Sequence, residues 1–298
     1  MNSYRNSLVF FTLLFSIIFQ CTPAAGEGRS KEVAPGVYLI SSLSFSNCAY
    51  IVTDEGVVVV DTQLIPFFAN EIIKEIKAVT DKPIKYAINT HWHTDHVGGN
   101  ETFFPQTPII AHEFTRKIIA KRKKEQDEGI IDKSLKQLGE FKLTPPDITF
   151  DQSMTLHMGN KIIELKFFGG GHSGGDIIVY LPEEKVLFSG DLFIKGSGLP
   201  DYRDDANIDK HIKSLKKIQA LDIEKIISGH LDIAEKKDIQ AAIDKLIAFR
   251  SQVKKYVDSG IPPEKAAEVI PFPENENPFY KQNFKKIIHK VYNDIKAQ

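Results

Sequence analysis

The segment at residues 90–100, THWHTDHVGGN, constrains this chain more than any other. It places four metal-binding side chains within six positions, directly after an apolar run with the composition of a β-strand. If the backbone stays extended, His91, His93 and Asp95 share one face, because side chains in a strand alternate with a period of two. His96 then points elsewhere, where it can serve a second metal. Imidazoles with a carboxylate suit Zn²⁺, Fe²⁺ or Mn²⁺ better than Ca²⁺ or Mg²⁺.

Three later positions repeat the same arrangement. In each, a strand-like apolar run is followed by at least one glycine and then by a possible metal ligand: His172, Asp191 and His230. A glycine at a strand end lets the backbone turn and present the next side chain at the edge of a sheet. The sequence therefore predicts one metal site assembled from the ends of several strands.

The ordered set of seven side chains resembles the metallo-β-lactamase superfamily of zinc hydrolases, from about Val37 to His230. The resemblance implies an α+β fold, a four-layer αββα sandwich with the metal site at one edge of its two sheets. It also implies two Zn²⁺ ions per chain, with iron or manganese as alternatives. It assigns the seven ligands as follows: His91, His93 and His172 to the first ion, Asp95, His96 and His230 to the second, and Asp191 to both.

The chemistry implied is hydrolysis without a covalent enzyme intermediate. Zinc lowers the pKa of a bound water to about 7, so that water can attack a carbonyl carbon with no Ser or Cys nucleophile. Asp95 is expected to orient the water and accept its proton, which makes Asp95 a catalytic residue as well as a ligand.

Two substrate classes stay open. Residues 188–195, FSGDLFIK, are similar to the segment of those β-lactamases whose second zinc is bound by a Cys, and Lys195 is the candidate for gripping a substrate carboxylate. Two departures separate this chain from them, because Asp191 stands in place of the Cys and His96 follows Asp95. Lys195 also lies one residue further from the ligand than expected.

The combination of Asp191 with His96 is the pattern of thioesterases, lactonases and phosphodiesterases of the superfamily. A β-lactam-type amide is therefore the first expected substrate class, and an ester, thioester or lactone, as in hydroxyacylglutathione hydrolases, is the alternative. Iron-dependent sulfur oxidation and metal binding without catalysis are the remaining alternative functions.

The N-terminus predicts export. Residues 8–19 form an unbroken apolar-rich run, too short to span a bilayer and suited to the core of a signal peptide, and small residues follow it. We expect residues 1–25 to be a signal peptide and the protein to be secreted or periplasmic. Cys21 occupies the position of a bacterial lipoprotein cysteine, so a lipid anchor at Cys21 is the membrane attachment that the sequence allows.

Composition narrows the partners. The 298 residues carry 38 basic and 39 acidic side chains, which gives a net charge of −1. The chain therefore lacks the excess of basic residues that is typical of a nucleic-acid-binding protein. A small-molecule substrate and a monomer are expected. Cys48 is the one cysteine left after cleavage, so no internal disulfide can form, and we expect it to be buried in the core.

The domain organisation follows from apolar periodicity. We expect a hydrolase domain over residues 26–235 and a helical extension over 236–298 that packs on the same domain. Helices are predicted at 66–79, 207–221, 236–258, 263–269 and 278–296, and an exposed lead-in at 26–35. Phe45 is a candidate loop residue over the substrate, whereas His112 and His157 fall outside the motifs and are expected not to bind metal.

Overall fold

The computed structural model describes residues 29–41, 46–130, 141–196, 202–273, 281 and 283–298. The predicted signal peptide with Cys21, and the loop residue Phe45, lie outside the described residues. No helix in the described ranges is both long enough and apolar enough to cross a membrane.

Two sheets form the centre of the fold. The first sheet has seven strands in chain order: β1 (Ser30–Ala34), β2 (Val37–Ile40), β3 (Cys48–Thr53), β4 (Gly56–Val60), β5 (Ile84–Ile88), β6 (Ile109–His112) and β7 (Ile148–Phe150). The second sheet has five, ordered β12-β11-β10-β9-β8: β8 (Ser153–Met158), β9 (Lys161–Phe167), β10 (Ile177–Leu181), β11 (Val186–Gly190) and β12 (Lys225–Ser228). Strands β1 to β4 are antiparallel, whereas β4 to β7 run parallel, as do β11 and β12.

Helices cover the outer face of each sheet. They are α1 (Pro66–Val79), α2 (Thr94–Val97), α3 (Asn100–Phe103), α4 (Glu113–Asp127), α5 (Ile208–Gln219), α6 (Lys236–Asp258), α7 (Pro263–Val269) and α8 (Phe284–Lys296). The bounds of α1, α6 and α7 are those that apolar periodicity predicted.

The alternating side chains of β4 show why the layers form. Val58 and Val60 face the core between the sheets, whereas Val57 and Val59 face α1. A strand buried on both faces needs an uninterrupted apolar run, and the sequence GVVVV supplies one. On the outside of the second sheet, a further buried cluster joins β10 and β11 to α5, α6, α7 and α8. The expected αββα sandwich is thus confirmed, with helices following it toward the C-terminus.

The expectation of an exposed lead-in at residues 26–35 is wrong for its second half. Residues Ser30–Ala34 form β1, which pairs antiparallel with β2 at the edge of the first sheet. Val33 alone among them is buried, with 5% of its surface exposed. Because the other residues lie at the surface, the segment has the polar composition of a loop. Its strand conformation depends on backbone hydrogen bonds to β2, which composition does not reveal.

Candidate metal centre

Loops at one end of the two sheets carry all seven predicted ligands. The loop after β5 holds four of them, and His172 lies in the glycine-rich loop between β9 and β10. Asp191 follows the last residue of β11, and His230 comes two residues after β12. Parallel and antiparallel strands that end at the same edge bring residues far apart in sequence into one cluster.

The extended backbone expected at residues 91–96 is not observed. Strand β5 ends at Ile88, His93 is the residue before helix α2, and α2 itself carries Asp95 and His96. The helical turn, and not strand alternation, separates these two side chains from His91 and His93. The motif identifies the residue types at the site, but the predicted strand alternation is wrong for its geometry.

The ligand atoms fall into two groups. Within each group the candidate atoms all lie within 4.8 Å of one another. The groups are as follows: His91, His93, His172 and Asp191 in the first, and Asp95, His96 and His230 in the second.

Asp191 lies between the two groups. Its Oδ1 is 3.5 Å from His96 Nε2, and its Oδ2 is 3.5 Å from His172 Nε2 and 3.8 Å from His91 Nε2. Oδ2 also lies 3.3 Å from His230 Nε2. One carboxylate therefore faces histidines of both groups, which is the position required of a bridging ligand.

The histidines of the first group are neutral. Burial lowers the pKa of His172 to about 3 and holds the pKa values of His91 and His93 well below their usual range. Neutral imidazole has a nitrogen lone pair to donate, so this group is in the state that binds a metal.

The second group holds positive charge. Burial alone lowers the pKa of His230, but Asp191 and Asp95 outweigh it and raise the pKa to about 10, and the same carboxylates raise that of His96. Burial likewise favours the neutral form of Asp95, but His96 and His230 hold its pKa well below the usual range. Both carboxylates stay ionised beside cations, and a divalent ion would replace the protons.

The residues present fit a metal such as zinc. Among the described residues, His91 Nε2, His96 Nε2 and Asp191 Oδ1 are buried atoms without a hydrogen-bond partner. Burying polar atoms without a partner costs free energy that a bound cation would recover. The donor set of imidazole nitrogens with a few carboxylate oxygens is the one that Zn²⁺ prefers.

Asp61 is a supporting residue that the sequence reasoning missed. Its Oδ2 lies 2.8 Å from His96 Nδ1 and accepts a hydrogen bond from the Thr90 hydroxyl at 2.8 Å, while its Oδ1 accepts from the Thr90 amide. A carboxylate on one imidazole nitrogen fixes the ring so that the other nitrogen faces the metal. The available signal was position, because Asp61 directly follows the apolar strand β4.

Ser46 and Asn47 hold two ligand-bearing segments in place, and no sequence pattern marks either residue. The Ser46 hydroxyl donates to the Asp95 carbonyl at 2.5 Å. The Asn47 side-chain amide donates to the carbonyls of Ser228 and Leu231 on either side of His230, at 2.9 and 2.8 Å. Ser46 thus connects the segment before β3 to α2, and Asn47 connects it to the loop that follows β12.

Trp92 links the first ligand loop to the loop of His172. Its indole N–H donates to Asp205 Oδ2 at 2.8 Å, and the same oxygen accepts from the Gly174 amide at 2.8 Å. The guanidinium carbons of Arg122 and Arg203 each lie 5.1 Å from the indole ring centroid. Trp92 is therefore a structural tie between two loops that carry ligands.

Lys195 contacts groups of the protein at the start of α6. Its Nζ donates to the carbonyl of Ile233 at 3.2 Å and sits 3.9 Å from Asp238 Oδ2. In this conformation its ammonium group is bound to these two residues. Its predicted contact with a substrate carboxylate stays a prediction.

The residues expected not to bind metal behave as ordinary structural groups. His112 precedes α4, where its Nδ1 accepts from the Phe114 amide at 3.1 Å and its Nε2 donates to the Asp151 carbonyl. His157 is exposed on β8. Cys48 is buried, and burial raises the pKa of its thiol, so it has the character of a packed apolar residue.

An αββα sandwich with a histidine and aspartate cluster at the sheet edge defines a class of metal-dependent hydrolases. A sequence profile described as the Metallo-beta-lactamase superfamily matches residues 42–230, more than half of the chain. The chain belongs to the metallo-β-lactamase superfamily, and its relatives there are metal-dependent hydrolases.

Curated relatives and solved structures agree with this assignment. A metallo-beta-lactamase type 2 of Pseudomonas aeruginosa is 29% identical over 220 residues, which cover 71% of this chain and 80% of the relative. Another metallo-beta-lactamase type 2, of Elizabethkingia meningoseptica, is 25% identical over 217 residues, covering 70% and 78%. The structure of a metallo-beta-lactamase from Pontibacter korlensis superposes with a TM-score of 0.62 at 23% identity, covering 73% of this chain and 98% of that chain. This last similarity concerns the fold alone.

Proposed function

We propose that this protein is an exported hydrolase that uses two zinc ions to cleave a carbonyl substrate, with β-lactam-type cyclic amides as the first substrate class. The observation that carries the proposal is the position of Asp191, whose two oxygens face histidines of both ligand groups. A carboxylate placed in this way suits two ions better than one.

The chain's own residues supply the positioning. His91, His93 and His172 would hold the first ion, and Asp95, His96 and His230 the second. When bound, the ions supply Lewis-acid polarisation of the carbonyl and a water of lowered pKa. Asp95 is 23% exposed at the side chain, in contrast to the buried His96, so it can orient a water at the mouth of the site and accept a proton from it.

Two sets of facts support a β-lactam-type substrate. The relatives from Pseudomonas aeruginosa and Elizabethkingia meningoseptica carry the name metallo-beta-lactamase and align over most of both chains. The apolar run at residues 8–19 supports export to the compartment in which β-lactams act.

Esters, thioesters or lactones form the second candidate class. Asp191 occurs where the β-lactamases with a similar segment have Cys, and the Lys195 ammonium group is already bound to Ile233 and Asp238. Both facts remove features that would select an anionic β-lactam. Asp191 and His96 together favour a less specialised acyl hydrolase.

The test is a substrate panel on residues 26–298 loaded with zinc. The panel contains a chromogenic cephalosporin, a lactone and an acyl thioester, and the controls are chelator-treated protein and the Asp95→Asn variant. Cephalosporin turnover at or above about 10⁴ M⁻¹s⁻¹, lost in both controls, supports the first class. Turnover confined to the lactone or thioester supports the second, and hydrolysis of none of them by zinc-loaded protein refutes the proposal.

Export is proposed from the N-terminal residues alone. Mass spectrometry of the protein recovered from an expressing bacterium gives the mature N-terminus directly. A start near residue 26 supports a cleaved signal peptide, whereas a lipidated Cys21 at the N-terminus supports a membrane anchor. An uncleaved chain in the cytoplasm contradicts export.

A further inference from the structure

A cavity of about 460 Å³ lies between the end of β9 and the exposed face of α5. Its lining contains three residues that follow β9 or end it, and four lysines of the helix: Phe167, Phe168, Gly169, Lys210, Lys213, Lys216 and Lys217. The volume is in the range of small-molecule sites. None of the seven predicted metal ligands lines it.

The cavity is strongly cationic. All four lysines are exposed, and the lining contains no acidic residue. Among the described residues none of these lysines forms an ion pair with a carboxylate, and Asp209, the acid on the same helix, is bound instead by Arg250 Nε at 2.6 Å. The whole chain is close to neutral, so composition does not account for a group of four lysines without an acid.

The positions of the lysines lower the stability of the helix. Lys213 is three or four positions from each of the other three, a spacing at which like charges repel on a helix surface. Lys216 and Lys217 lie in the last turn, where the helix dipole favours positive charge, but Lys210 lies in the first turn, where the dipole opposes it. Helix stability therefore does not explain the arrangement, whereas a bound anion would.

The aromatic wall is held in place by the protein. The Phe167 ring stacks on His112 with centroids 3.9 Å apart, and Phe168 packs against the buried cluster of α5 to α8. Lys217 Nζ lies 5.5 Å from the Phe168 ring centroid and donates to its carbonyl at 3.3 Å. A side chain on Gly169 would meet nothing within 4 Å, so the space beside the rings is open.

We propose that this cavity binds a small organic anion that combines a phosphate or sulfate group with a planar apolar body. The ammonium groups of Lys213 and Lys217 supply point charges for the anionic group, and the Phe167 and Phe168 rings supply an apolar surface for the body. The site is separate from the metal centre. It adjoins the loop of His172, because the opposite face of α5 holds that loop through a bond from Ser214 Oγ to the Gly170 carbonyl at 2.7 Å.

The test is calorimetric titration of zinc-loaded full chain with phenyl phosphate, inorganic phosphate and phenol. Because phosphate also binds zinc, the same titrations are made on Lys213→Glu/Lys217→Glu, on its milder form Lys213→Gln/Lys217→Gln, and on the matched control Lys285→Glu/Lys286→Glu on α8. A thermal unfolding transition is recorded for each variant to check that it is folded.

The expected result has three parts. Phenyl phosphate binds more tightly than inorganic phosphate, and phenol does not bind measurably. Both cavity variants lose about tenfold or more in affinity for phenyl phosphate, whereas the control retains it. Phe168→Leu weakens phenyl phosphate binding but leaves inorganic phosphate binding unchanged.

Two results would overturn the proposal. The first is equal affinity for phenyl phosphate in the cavity variants and the control, which would assign all binding to the metal centre. The second is binding to vesicles of phosphatidylglycerol and phosphatidylcholine that depends on Lys213 and Lys217, with no binding of phenyl phosphate. That outcome would make the lysines a membrane-surface contact and not a small-molecule site.

Discussion

At the scale of single residues, the centre depends on close packing as much as on ligand identity. Gly229 lies between His230 and the strand β12, and its amide donates to the Gly190 carbonyl at 2.8 Å. A Cβ at Gly229 would lie 2.0 Å from Asp191 Oδ1 and 2.9 Å from a carbon of the His96 ring. Only a residue without a side chain lets the loop approach both ligand groups.

Gly229→Ala should therefore displace Asp191 and reduce zinc affinity and activity by about 100-fold, the upper range for changes that misplace a ligand. The measurement is zinc content after dialysis, combined with turnover of the best substrate. Gly260→Ala, at a φ of +67° where a Cβ would meet nothing within 4 Å, is the control: it should cost some stability but retain zinc content and turnover. Normal zinc content in Gly229→Ala would show that Asp191 is not needed where the structure places it.

Asp61→Asn tests the orientation of His96. The variant loses the charge that faces His96 Nδ1, so we expect zinc affinity of the second group to fall by about 10–100-fold while the first group still binds. Zinc titration should show one tight and one weak equivalent. Asp54→Asn, in the exposed turn between β3 and β4, should behave as the unchanged protein, and identical titrations for Asp61→Asn would refute this role.

The ligands were predictable because four lie in one dense motif after a strand, and the other three each follow a strand and a glycine, so the signal is confined to a few neighbouring residues. Asp61 also follows a strand, but its role as a hydrogen-bond partner, like that of Asn47, was not predictable in this way. Their partners His96 and Ser228 lie 35 and 181 residues away in sequence, and hydrogen bonds over such separations leave no local pattern.

At the scale of elements, α5 joins the metal loops to the helical layer. His211 on its buried face receives a hydrogen bond from the Tyr202 hydroxyl at 2.9 Å and donates to the Leu192 carbonyl at 2.6 Å, so it ties the segment after Asp191 to the helix. Amphipathic spacing predicted this helix over nearly the same residues. It did not predict that a buried polar side chain would hold the neighbouring loop.

Burial lowers the pKa of His211 to about 4, below the usual value of about 6.5 for an unfolded chain. The folded state then binds fewer protons between these two pH values, so the free energy of unfolding is greatest above about pH 6.5 and falls as the pH drops toward 4. Between pH 7 and pH 5 the unchanged protein should lose about 2 kcal/mol more stability than His211→Gln.

Urea unfolding of both proteins at the two pH values measures this difference. The ligand histidines are common to both, so their titration cancels in the comparison. An equal loss of stability in the two proteins would show that folding does not lower the pKa of His211.

At the scale of the whole molecule, a buried ion pair connects the two sheets. Lys161 at the start of β9 pairs with Glu184 in the turn after β10 and donates to the Pro35 carbonyl between β1 and β2 at 2.9 Å. Both side chains of the pair are less than 9% exposed. The family resemblance implied two sheets but not this pair, because Lys161 has the sequence appearance of a turn lysine.

Lys161→Met should lower the free energy of unfolding by about 3–5 kcal/mol, because Glu184 would remain buried without its cation. Lys123→Met, which removes a similar pair with Asp127 on the surface of α4, should cost about 1 kcal/mol or less. Chemical denaturation of both variants gives the two values. A cost for Lys161→Met as small as that of the surface control would mean that the pair does not stabilise the junction of the sheets.

The central claim is that seven side chains from four loops form a centre for two metal ions that hydrolyses a carbonyl substrate. The most direct measurement adds zinc stepwise to metal-free residues 26–298 and follows bound zinc and turnover together, with Asp191→Ala alongside. The account predicts about two equivalents bound per chain, full activity only after the second, and at most one equivalent with almost no activity in Asp191→Ala. Saturation at one equivalent with full activity, unchanged by the loss of Asp191, would contradict it.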